Sequence, residues 1–182
     1  IVFCFVRLQT NSKAFTAKTS CVRRRYSEFA WLKKKLQKNA GLVPVPDLPG
    51  KSFFSFSNED FLERRRQGLQ VFLDKVVNMT VCLSDSQLHL FLQTQLPVGH
   101  ILDCVQGHTP YSVTDAILTY ASSNREIKMY SNWESQFLLC FCILGQYDTF
   151  DSDSDCLPNA FVVTWTVGGD IDEGEPFHQE EE

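Results

Sequence analysis

No apolar run in this sequence approaches the ~18 residues that a membrane-spanning helix needs. The longest, Phe137 to Leu144, has eight, so the chain is expected to meet a bilayer only from outside. The seven cysteines form no CxxC pair and are odd in number, which argues against a disulfide framework. Cys4, Cys21, Cys82 and Cys104 stand mostly in apolar surroundings, as buried thiols in a reducing compartment do. No phosphate-cradling glycine loop occurs, and His89, His100, His108 and His178 show no spacing to a nucleophile or a carboxylate pair. Catalysis therefore has no support, and no cofactor is implied. His100, Cys104 and His108 fall at i, i+4 and i+8, but Gly107 and Pro110 interrupt a helix there and a fourth ligand is missing, so no metal site is expected. The opening Ile1 to Val6 lacks a basic n-region and a Met, and no signal peptide is read there.

Lysine and arginine are absent after Lys128. Up to that point 17 cations face 10 acids, a balance of +7, whereas the remainder carries 12 acids and stands at −12. The net charge of −5 thus conceals a basic region followed by an acidic tail, and the former invites an anionic partner. The 182 residues, 43% of them hydrophobic, suffice for one good core plus a tail.

The chain is organised around Val22 to Phe29, where Arg23, Arg24 and Arg25 run into Tyr26 and an amphipathic pattern begins. On an extended strand Arg23 and Arg25 share one face and Arg24 takes the other. At a strand-to-helix corner, the Arg25 guanidinium could grip a phosphate bidentately beside the flat Tyr26 ring. A solvated basic patch with a core tyrosine accounts for these residues equally well.

Residues 1–9 and 14–22 read as two strands joined by a turn-rich linker. The chain opens in mid-strand, as though an upstream strand were missing, which predicts an exposed sheet edge. Ser27 to Asn39 reads as a helix with Ser27 as N-cap and Phe29, Leu32 and Leu36 on its buried stripe. Its lysines, 33, 34, 35 and 38, fit a solvated face or a long-range attraction to an anionic surface. Pro44, Pro46 and Pro49 force an extended crossing that delivers Lys51 to a fixed place. Phe53, Phe54 and Phe56 come next, either packed inward or forming a wedge for a bilayer interface. A helix from about Ser57 to Met79 buries Leu62, Leu69, Phe72, Leu73 and Val76. Arg64, Arg65 and Arg66 sit in its first turns, where the helix dipole disfavours cations and a compensating anion would help; Arg65 leans inward. Further helices are expected to start at Ser84, after Pro97 (carrying Ile101, Leu102 and Val105) and at Ser112 with Asp115. Beyond about Glu126 no periodic pattern unifies the chain, and mostly disorder is expected.

Taken in order, Arg24-Arg25-Tyr26-Ser27-Glu28-Phe29, Pro46-x-x-Pro49-x-Lys51 and Glu63-Arg64-Arg65-Arg66-x-Gly68-Leu69 resemble the phosphoinositide-binding PX domain of sorting nexins. Residues 112–124 are similar to the extra helices that some members append. The resemblance covers about 115 of the 182 residues. It implies an α+β fold, a small antiparallel sheet packed on a helical subdomain, with extra C-terminal helices and a largely disordered acidic tail. The expected organisation is a PX domain lacking its first strand at 1–96, a helical extension at 97–125 and the tail at 126–182.

The resemblance further implies a ligand, phosphatidylinositol 3-phosphate in endosomal membrane. By position, Arg25 would hold the 3-phosphate, Tyr26 would floor the inositol ring, Lys51 would meet the 1-phosphate and Arg65 would bond the ring hydroxyls. Phe53, Phe54 and Phe56 would enter the bilayer. Ser27 stands where a basic residue is often found in such proteins, which removes one phosphate contact. The implied protein is a cytoplasmic monomer, peripheral on endosomes, that could meet trafficking proteins through the helical extension. Two other readings of the basic region remain open: nucleic-acid binding, which would want cations along one groove-reading helix, and a protein-interaction scaffold. Convergence of cations from three separate elements favours a compact headgroup, and no nucleic-acid partner is expected.

Overall fold

A computed structural model describes residues 2–50, 59–127 and 160–167. Strand β1 (Val2–Gln9) pairs antiparallel with β2 (Thr19–Arg24), in a register that sets Cys4 opposite Arg24 and Val6 opposite Val22. Cys4, Val6 and Leu8 are buried while Arg7 and Gln9 are exposed, the alternation of a sheet with one face on a core. Six helices follow: α1 (Tyr26–Asn39), α2 (Glu59–Val77), α3 (Thr80–Leu83), α4 (Ser86–Gln93), α5 (Val98–Val105) and α6 (Val113–Ile127). Phe29, Leu32 and Leu36 of α1 and Leu69, Phe72, Leu73 and Val76 of α2 fill the space beneath the sheet, with Phe91 of α4 edge-on to Phe29 at 5.2 Å. Ile101, Cys104 and Ile117 belong to the same continuous core, so α5 and α6 pack on the sheet-bearing domain. Tyr120 of α6 donates a hydrogen bond to the Cys21 carbonyl of β2 at 2.7 Å. The fold is α+β, as expected.

Several boundaries depart from the sequence reading. The second strand begins at Thr19 instead of residue 14, although Phe15 and Ala17 are buried. Their burial comes from a loop, closed by Thr10 N–H donating to the Lys18 carbonyl and pinned where Ala17 N–H donates to Gln93 Oε1. Alternating burial without a ladder partner mimics a strand. The N-cap of α1 is Arg25, not Ser27, because β2 runs to Arg24 and Glu28 then reaches back to accept the Arg25 N–H at 2.7 Å. Likewise Asp85, not Ser84, caps α4 by accepting the Gln87 N–H. Ser112 and Asp115 do open α6 with a reciprocal capping box, and those hydrogen bonds hold the Asp115 carboxyl below its usual pKa. On α5, Ile101 and Cys104 face the core but Val105 is exposed at the helix end. Gly107 then adopts φ +76, which turns His108 out of the helix, away from the i, i+8 relation with His100.

The larger difference lies at the sheet edge. A third strand, β3 (Ala160–Val167), pairs antiparallel with β1 along its whole length, from Val2 opposite Val167 to Gln9 opposite Ala160. The strand order is β2-β1-β3, so the β1 edge expected to be open is covered by a segment of the acidic tail. The apolar run 137–144 lies outside the described residues.

Candidate functional site

The strand-to-helix corner depends on sending neighbouring arginines in opposite directions. Arg24, the last residue of β2, points inward and is fully buried. Its guanidinium donates to the carbonyls of Phe91 (3.0 Å), Thr94 (2.6 Å) and Leu96 (2.8 Å) and to Glu28 Oε1 (3.2 Å), while lying 4.6 Å above the Phe91 ring. These carbonyls lie at and beyond the C-terminal end of α4, where the last turn lacks intrahelical donors and the dipole is negative. Burial lowers the Arg24 pKa, and Glu28 opposes that shift. Arg24 is therefore a structural cation.

Arg25 is exposed and caps α1 in extended geometry, with φ −85 and ψ 155. Its guanidinium carbon lies 5.1 Å from the centre of the Phe3 ring on β1, and that of Arg23 lies 4.4 Å from the same ring. Phe3 thus gathers two cations at the N-terminal end of a helix, where free N–H groups already favour anions. Tyr26 comes next, half-buried, and its hydroxyl donates to the Pro49 carbonyl.

Arg65 arrives from α2. It is 7% exposed, and its guanidinium lies against two rings, 4.4 Å from the Tyr26 centroid and 4.4 Å from that of Phe61, one turn earlier on the helix. Its Nε is buried without a hydrogen-bond partner. Its neighbours on the helix are engaged differently: Arg66 pairs with Glu63 at 2.6 Å, holding that carboxyl below its usual pKa, and Arg64 Nε donates to the Asp60 carbonyl. Behind Arg65 lies Cys4, whose thiol burial pushes up to about 11 even though the guanidinium works against that shift.

The proline crossing completes the frame. Val45 is buried and its N–H donates to Gln37 Oε1 at 2.9 Å, while Lys33 pairs with the exposed Asp47. Farther along, Pro49 presses against Gly68 of α2 so closely that a Cβ there would lie 2.7 Å from Pro49 Cβ. Gly68 therefore permits α2 to pass directly beneath the crossing and bring Arg65 to Tyr26.

Of the sequence-predicted residues, Arg25, Tyr26 and Arg65 are brought together at one corner. Lys51, Phe53, Phe54 and Phe56 lie outside the described residues, although Pro49, two positions before Lys51, is fastened to Tyr26. Sequence reasoning missed Phe3 and Phe61. The first was visible as the aromatic sharing the Arg25 face of the hairpin, the second as the residue four before Arg65. Among the described residues no group of three or more His, Cys, Asp or Glu side chains could hold a metal ion. None of their helices is long and apolar enough to cross a membrane.

Residues 12–95 match the family described as the PX domain. The chain is similar to sorting nexin-11 of Bos taurus, 71% identical over 117 residues, which covers 64% of this chain and 43% of that protein. Human sorting nexin-11 is 68% identical over the same length, and sorting nexin-10 of Bos taurus is 54% identical over 119 residues, covering 65% of this chain and 60% of that protein. The chain thus spans about two fifths of the sorting nexin-11 sequences and three fifths of sorting nexin-10. Among solved structures, a designed CISK-PX domain is 35% identical with a TM-score of 0.43, covering 50% of this chain and 80% of that one.

Proposed function

We propose that this chain is a phosphoinositide-reading module that recruits itself to endosomal membranes by binding phosphatidylinositol 3-phosphate, without catalysing a reaction. The observation that carries the reading is Arg65: a buried guanidinium lying against two rings, its Nε unbonded, at the corner where exposed Arg25 caps a helix. A buried donor without an acceptor costs free energy, and an anionic or hydroxyl-rich ligand would remove that cost. In the proposed complex Arg25 takes the 3-phosphate, the Tyr26 ring forms the floor, and Arg65 reads the ring hydroxyls. Lys51 supplies a point charge for the 1-phosphate, and Phe53, Phe54 and Phe56 enter the interface. Nearby lysines of α1 add attraction of ~1 kcal/mol each at an anionic surface. The module acts as a monomer, and α5 and α6 offer a surface for trafficking proteins.

Sedimentation with vesicles that contain or lack phosphatidylinositol 3-phosphate tests this directly. The lipid-dependent part of binding should vanish in Arg25→Ala, while the far-ultraviolet spectrum and melting temperature stay unchanged, because Arg25 is exposed. Equal binding to DNA and to any anionic vesicle, indifferent to that substitution, would establish the nucleic-acid reading instead.

A further inference from the structure

The second half of α2 presents a stripe to solvent. Val71, Asp74, Lys75 and Asn78 recur at i, i+3, i+4 and i+7, the spacing of one helix face. Val71 is 50% exposed; Lys75 and Asn78 are exposed and Asp74 is half-buried. Asp74 follows Arg65 by about two and a half turns, so the stripe lies on the side of α2 away from the arginine corner. With Pro46 of the proline crossing and Met79 beyond the helix end, these four residues line an open groove of about 530 Å³. Its proline wall is held in place. Gln37 of α1 accepts the Val45 N–H at 2.9 Å and donates to the Val43 carbonyl at 3.2 Å, and Pro49 bears on Gly68 farther along. A rim fixed in this way loses little freedom when it is covered.

The polar groups of the groove specify what fills it. Asp74 Oδ1 accepts from Gln70 Nε2 at 2.9 Å, and no cation among the described residues pairs with this carboxylate. Partial burial pushes the Asp74 carboxyl above its usual pKa, the mark of a charge withdrawn from water without a compensating one. Asn78 Nδ2 donates to the Asp74 carbonyl at 2.7 Å, and its Oδ1 is left to accept a backbone N–H. Lys75, one residue on, points about 100° away from Asp74, which confines an incoming cation to the Asp74 side. A carboxylate at this position repels anionic bilayers and nucleic acids. Residues after Lys128 cannot supply the missing cation, because they include no lysine or arginine. We propose that the groove docks an extended segment of a partner protein in which an arginine or lysine stands beside a leucine-sized apolar residue. The cation meets Asp74, and the apolar side chain lies among Pro46, Val71 and Met79, whose thioether adapts to its shape. The groove shares no residue with the corner of Arg25, Tyr26 and Arg65, so this docking does not rest on the headgroup reading.

Selection of phage-displayed random heptapeptides on the full chain tests this, and the enriched pool should include peptides that set a cation beside an apolar residue. The leading peptide of that kind, resynthesised and titrated by calorimetry, should bind about 10-fold more weakly to Asp74→Asn and about threefold more weakly to Val71→Ser. Both side chains reach solvent, so both variants should keep the melting temperature of the parent. Asp74→Lys should abolish binding of the same peptide. A counterpart with glutamate in place of the cation should then bind that variant within about fivefold of the original pairing. A pool without cation-bearing peptides, affinity unchanged in Asp74→Asn and Val71→Ser, or a glutamate peptide that gains nothing from Asp74→Lys would each overturn the proposal.

Discussion

Arg24 and Arg65 are both buried, both stacked on aromatic rings, and both contributed by the same kind of arginine-rich run, yet their donors are served differently. Arg24 donates to three carbonyls and a carboxylate, so its charge is neutralised by the fold that buries it. Arg65 lies against two rings, and its Nε has no acceptor. On the proposed reading, this difference is what separates a structural cation from a binding one. Burial and ring contact are common to both, and only the acceptor inventory distinguishes them.

That contrast can be broken at either end. Arg24→Ala should be the most damaging change, costing about 3–5 kcal/mol in urea denaturation, because it strands carbonyls at the end of α4 and removes the cation that Glu28 Oε1 pairs with. Arg65→Met should reverse the pattern. Headgroup affinity should fall about 100-fold, whereas stability should hold or rise by up to about 1 kcal/mol, since an unsatisfied donor leaves the interior. Should both substitutions lower stability alike, Arg65 would be a structural cation as well. A smaller effect is expected from Gly68→Ala, which drives a methyl group into Pro49. We expect about 1–3 kcal/mol of lost stability together with weaker headgroup binding, as the crossing shifts away from Tyr26. The smallest effect concerns Cys4, which keeps its proton in the folded state up to about 11, against an ordinary 9.0. Below pH 9 both states hold that proton and it contributes nothing. Between pH 9 and about 11 the unfolded chain loses it first, so rising pH favours unfolding. The urea midpoint should therefore fall across that window, and less steeply in Cys4→Ala.

Much of this architecture is legible in the sequence. The buried stripes of α1 and α2 follow from apolar spacing, and Ser112 with Asp115 marks the α6 start through side chains that serve each other. Arg23 and Arg25 sharing a face, with Arg24 on the other, follows from strand geometry alone. The features that escaped notice are set by partners distant in sequence. Phe15 and Ala17 alternate like a strand, but Ala17 is held by Gln93, 76 residues away. Ser27 is a better capping residue than Arg25 by type, yet the length of the β1–β2 ladder places the first helical residue at Tyr26. Strand β3 escaped because Ala160 to Val167 is apolar without a local partner, and only an edge more than 150 residues earlier gives it one.

That last pairing has a temporal meaning for the nascent chain. Residues 2–9 leave the ribosome well ahead of residues 160–167, and synthesis proceeds at about 5–20 residues per second. For on the order of ten seconds the hairpin and its helices must therefore fold with one flank bare. During that interval a chaperone, or the same flank of a neighbouring polysome product, can reach it before the chain's own closing strand arrives.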